Sequence, residues 1–86
     1  MIALRKYRGR YMANPQLQEF GLHLKKLRLA RGLSQEQLGL IAELDRTYIN
    51  GIERGVRNVS LANIFRIAKA LDVPVAVLLA DLDGVR

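Results

Sequence analysis

The side chains best placed to do chemistry lie between residues 46 and 58. Arg46, Thr47, Asn50 and Arg54 follow one another at spacings of one, three and four. On a helix of roughly 46–54 they share one face, and Ile49 and Ile52 point the other way. An arginine fork there matches the O6 and N7 acceptors of guanine. Asn50 can pair with adenine, and Thr47 can meet a thymine methyl or a phosphate. This is hydrogen bonding to base edges, not bond breaking. The rest of the sequence agrees. It has no cysteine and one histidine, His23, which excludes thiolate and His-rich metal sites and any Cys/His dyad. It has no clustered acid pair, nucleophile–base pair or glycine-rich phosphate loop, so no enzyme, metal or cofactor is expected.

A helix that presents those residues must be started, stopped and held. Asp45 is its N-cap candidate and Gly55 its end. Before it, Ser34 with Gln37 three residues on makes a capping box for a helix over 35–42, expected to bury Leu38, Ile41 and Ala42. The joint between the two helices is about three residues, the pattern of a helix-turn-helix. Upstream, Asn14-Pro15 is a break, after which Leu17, Phe20, Leu24 and Leu27 recur at 3, 4 and 3 along one helix face. That helix stops at Gly32, after Lys25, Lys26, Arg28 and Arg31, which favour the negative end of its dipole. Downstream, Ser60 caps a helix over 61–71 with Leu61, Ile64, Phe65, Ala68 and Leu71 on one face. Pro74 opens a short last helix with Val77, Leu78 and Leu79. No alternating strand pattern or internal repeat is found. The predicted fold is all-α, a compact bundle of five short helices with a helix-turn-helix. A basic extension (1–16) precedes the domain (17–80), and a tail (81–86) follows.

The run Leu33-Ser34-Gln35-Glu36-Gln37-Leu38, then Arg46-Thr47-Tyr48-Ile49, Gly51-Ile52-Glu53-Arg54-Gly55 and Ala68-Lys69-Ala70-Leu71-Asp72-Val73, resembles the lambda-repressor-like (Cro/C1-type) helix-turn-helix family over about residues 20–80. Within that family, Asp45-Arg46-Thr47-Tyr48-Ile49 followed by Gly51-Ile52-Glu53-Arg54 is most similar to controller proteins of restriction–modification systems. The resemblance implies roles. Gln35 would bond a DNA phosphate and brace the recognition helix. Arg46 and Thr47 would face base edges, and Tyr48 would lie along the backbone or sense groove width. Arg54, Arg57 and Asn58 would lie near phosphates or a neighbouring groove. Arg28 and Glu53 match a structural ion pair.

Three positions depart from the family pattern. Glu43 stands at a turn position that usually holds glycine. If that position needs a left-handed backbone, Glu43 costs roughly 1 kcal/mol there; otherwise the turn differs. Gly39 stands where alanine is preferred, which weakens its helix by about 0.5–1 kcal/mol. Gly51 stands where some relatives carry a base-reading side chain, which leaves readout to Arg46, Thr47 and Asn50.

The 86 residues carry 14 Lys+Arg against 8 Asp+Glu, a formal charge of +6, and half are apolar. The chain is therefore not a disordered basic tail, and its charge suits a polyanion, either nucleic acid or an acidic membrane. No apolar run reaches the 18 residues of a membrane span, and the basic segment lacks a long amphipathic apolar face, which disfavours the membrane. No signal peptide is recognisable after Met1, so a cytoplasmic location is expected. Arg5, Lys6, Arg8 and Arg10 place four of the six net charges in residues 1–16. That segment is open to three readings: a minor-groove arm, an extension upstream of a start at Met12, or a strand of chain packed over Leu22 and Leu29.

The segment from Pro74 to Ala80 is apolar nearly all round, and Leu82 and Val85 follow. Such a surface suggests an interface. The expectation is a homodimer through the fourth and fifth helices, with Val75, Val77, Leu78 and Leu82 at the contact, on a palindromic double-stranded operator. RNA polymerase is a further partner that a regulator of this kind could meet. The competing reading is an antitoxin-type protein-interaction module whose DNA binding is secondary.

Overall fold

Local capping chemistry sets where each helix begins. The computed structural model describes residues 14–80 and 82. Asn14 Oδ1 accepts the amides of Gln16 and Leu17 at 3.0 and 3.1 Å, opening α1, Pro15–Ala30. Helix α1 thus begins inside the span assigned to the extension, and residues 1–13 lie outside the described residues. Gly32, at φ 71°, turns the chain away from α1. Ser34 and Gln37 form the reciprocal capping box of α2, Gln35–Ala42. Asp45 accepts the Thr47 amide at 2.9 Å and opens α3, Arg46–Glu53, with Arg54 as its C-cap. Ser60 caps α4, Leu61–Leu71, and Pro74 precedes α5, Val75–Leu78. Side-chain caps of this kind contribute about 0.5–2 kcal/mol each. The described residues form five helices and no strand.

The core draws on all five. Phe20 and Leu24 come from α1, Leu38 and Ala42 from α2, and Ile49 and Ile52 from α3. Ile67, Ala68 and Leu71 come from α4, and Leu78 from α5. Helix α3 is held between α1 and α2, while α4 packs on α2 and α5. Arg31 at the end of α1 donates to the Asp72 carbonyl at the end of α4, 2.9 Å away. His23 is half-buried and donates from Nε2 to the Val77 carbonyl at 2.8 Å, which ties α1 to α5.

Four expectations are corrected. Ile41 is 55% exposed, because the inward face of α2 runs through Leu38, Gly39 and Ala42. Leu61 and Phe65 are 66% and 55% exposed. The inward seam of α4 is Ile64, Ile67, Ala68 and Leu71, which leaves those two on an outer flank. Gly39 is not a mere weakening of α2: a Cβ there would stand 2.6 Å from the Leu44 carbonyl oxygen. A side chain at this position would require the turn to shift. Leu78 is fully buried in the core, so it has no surface to give a partner chain. Glu43 sits at φ 62°, ψ 42°, so the turn keeps the left-handed geometry without a glycine.

Candidate nucleic-acid interface

Helix α3 separates its two faces cleanly. Ile49 and Ile52 have 0% and 1% of their surface exposed, and Arg46 and Thr47 are exposed on the other side. Asp45 uses its carboxylate on the Thr47 backbone amide, so it caps the helix and leaves both neighbouring side chains free to point outward. Arg54, Arg57 and Asn58 are exposed at and beyond the far end of α3.

Behind α3, a buried ion pair fixes its tilt. Arg28 donates from Nε to Glu53 Oε2 at 2.6 Å and from Nη2 to Oε1 at 2.9 Å. Its remaining arm donates from Nη1 to the Leu33 carbonyl at 2.8 Å. The bond to Glu53 raises the guanidinium pKa above its usual value, against the opposing effect of burial. The structural pair implied by the resemblance is thus present, joining α1 to α3 and to the loop before α2. Removing one partner of such a pair typically costs about 3–5 kcal/mol, because it strands the other charge. Gln35 continues the chain of bonds. Its Nε2 donates to Glu53 Oε1 at 3.0 Å, and its Oε1 accepts from Asn50 Nδ2 at 3.3 Å. Gln35 therefore braces α3 from α2, and Asn50 is half-buried against it. No buried side-chain polar atom among the described residues lacks a partner.

A second cluster forms around Tyr48. Its hydroxyl donates to the Asn58 carbonyl at 3.1 Å and accepts from Asn63 Nδ2 at 3.2 Å. The Arg57 guanidinium lies 5.0 Å from the centre of its ring, within cation–π range. Arg57 reaches that ring by laying its stem directly over Gly51, where a Cβ would collide with Arg57 Cγ. The position that looked empty in the sequence is therefore filled by a loop side chain. Neither Asn63 nor the Gly51–Arg57 contact carried a sequence signal, since both depend on how the loop after α3 folds back.

The residues expected at a dimer contact separate. Val77 is 39% exposed, Val75 and Leu82 are half-buried against the core, and Leu78 is buried.

Two helices at a fixed tilt, the second showing Arg46 and Thr47 to solvent and anchored from behind, define the helix-turn-helix class of DNA-binding domain. The helix-turn-helix family pattern matches residues 24–78, and the chain belongs to that family. Its relatives include control protein C.BamHI of Bacillus amyloliquefaciens. That protein is 53% identical over 55 residues, which is 63% of this chain and 68% of the relative. Control protein C.MunI of a Mycoplasma species is 45% identical over 65 residues, 74% of this chain and 88% of the relative. Among solved structures, the restriction-modification controller protein C.AhdI of Aeromonas hydrophila matches with a TM-score of 0.71 and 53% identity. The match covers 72% of this chain and 94% of that one. The family is one of transcription regulators, not enzymes, and the likeness to controller proteins holds in both sequence and fold. No described helix is long and apolar enough to cross a membrane.

Proposed function

We propose that this protein binds a palindromic DNA operator as a homodimer, inserts α3 into the major groove, and controls a restriction–modification operon. The observation that carries the reading is α3 itself, with Arg46 and Thr47 free on its outer face and Ile49 and Ile52 locked behind. The likeness to the restriction-modification controller protein C.AhdI supports the operon assignment. Arg46 and Thr47 face base edges, and Arg54, Arg57 and Asn58 lie along the phosphates. Tyr48 positions Arg57. Two copies meet through α4 and α5, which expose the apolar side chains of Leu61, Phe65 and Val77 and leave Val75 and Leu82 half-buried. The protein works in the cytoplasm, where operator occupancy governs access of RNA polymerase.

Selection of bound sequences from a random DNA pool tests this reading. The parent should yield a two-fold symmetric consensus, with binding that weakens steeply as salt rises. Arg46→Ala should lose about 1–3 kcal/mol and relax the preference at the base it reads. A footprint of Arg46→Ala identical to that of the parent would rule out α3 as the reading helix.

A further inference from the structure

We infer that Gln35, polarised by the buried Glu53 carboxylate, is a positioning residue that restricts Asn50 to reading adenine and excludes guanine. The inference rests on the DNA-reading proposal above and adds a specificity mechanism to it.

The argument follows hydrogen atoms outward from the core. Glu53, bound by two arms of Arg28, offers only acceptors. Gln35 must therefore turn its Nε2 toward Glu53, which it does at 3.0 Å. Its carbonyl oxygen is then forced to the opposite side, where Asn50 stands. Asn50 must answer with a donor, and its Nδ2 lies 3.3 Å from Gln35 Oε1. Reversing the Asn50 amide would set two carbonyl oxygens against each other. An amide that could flip freely on a bare helix face is thus held in one sense by a charge two residues deeper in the fold.

The consequence lies in what Asn50 has left. One of its two N–H groups is committed to Gln35, so it can offer the groove one donor and one acceptor. Adenine shows the major groove an N7 acceptor and an N6–H donor, which match that pair. Guanine shows N7 and O6, both acceptors, and needs two donors from the protein. Gln35 spends the second donor, so guanine is left with an unpaired oxygen. The remaining N–H of Gln35 is free for a phosphate, so bracing, phosphate contact and base restriction are compatible in one side chain.

The experiment compares the full-length parent, Gln35→Met and Asn50→Ala by selection from a random DNA pool, with thermal melts run alongside. Methionine keeps the side-chain length and leaves the Arg28–Glu53 pair intact. The parent should prefer adenine over guanine roughly tenfold at one position of each half-site, in line with one bidentate contact. Asn50→Ala should erase the preference at that position alone. Gln35→Met should bring guanine to within about threefold of adenine there, and leave the position read by Arg46 unchanged. Uniform weakening of Gln35→Met across all sequences, with the adenine preference intact, would reduce Gln35 to a phosphate contact and overturn the inference. So would an Asn50→Ala consensus identical to the parent's. A parent that selects no consensus would instead remove the DNA-reading proposal itself.

Discussion

At the scale of single residues, Glu43 sets the sharpest energetic question. It closes α2 at φ 62°, ψ 42°, a conformation in which an L side chain crowds the following carbonyl. Its side chain is exposed, so it contributes no packing in return. Glu43→Gly should therefore stabilise the fold by up to about 0.5 kcal/mol, net of the extra freedom glycine adds to the unfolded chain. For a domain of this size that raises the melting temperature by roughly 2–4 °C, measurable by circular dichroism. An unchanged midpoint would mean that the turn carries no such cost. The sequence exposed this residue because the resemblance marked a glycine position, and the structure supplied the torsion angles. Asn50 and Gln35 differ in kind. Their residue types suggested DNA contact, but the direction of each amide follows from Glu53, eighteen positions from Gln35 in the chain.

Helices were legible wherever their signals are local. Ser34, Asp45 and Ser60 each cap the helix assigned to them, because a cap needs only the next two or three amides, and Asn14, read in the sequence only as part of a break, caps α1 in the same way. Buried faces were less legible. Helix α4 has more apolar residues than one face can hide, and periodicity alone chose Phe65 where the packed fold chose Ile67. The joint between α2 and α3 was the least legible, since its geometry is a tertiary contact. There Gly39 reverses the sign expected from propensity. Helix propensity says Gly39→Ala should stabilise α2 by about 0.5–1 kcal/mol. The Leu44 carbonyl, 2.6 Å from the added Cβ, says it should instead cost about 1–3 kcal/mol, as overpacking does. Urea denaturation of Gly39→Ala separates the two by sign. A stabilised variant would mean the turn yields to the methyl group, and α3 would then sit at a different tilt.

For the whole molecule, charge and apolar surface divide the work. Residues 14–80 hold 9 bases against 6 acids, so the folded domain carries only half of the +6 total. Specificity then depends on where a few side chains point, and α3 alone spans too few base pairs to mark one site. Doubling the molecule meets that need, and the fold leaves suitable surface for it. Leu61 and Phe65 lie one turn apart on α4, 66% and 55% exposed. Because Phe65 stands outside the core, Phe65→Asp should change monomer stability by no more than about 0.5 kcal/mol. Placed at a two-fold contact, however, it would set two carboxylates near each other on apolar surface. Sedimentation at tens of micromolar should therefore find the parent dimeric and Phe65→Asp monomeric, with matching thermal melts for the folded monomer. The variant should bind a full palindrome no better than a half-site, because the second recognition helix is no longer delivered with the first. A Phe65→Asp chain that still sediments as a dimer would move the interface off α4, and a monomeric parent would remove the dimer altogether.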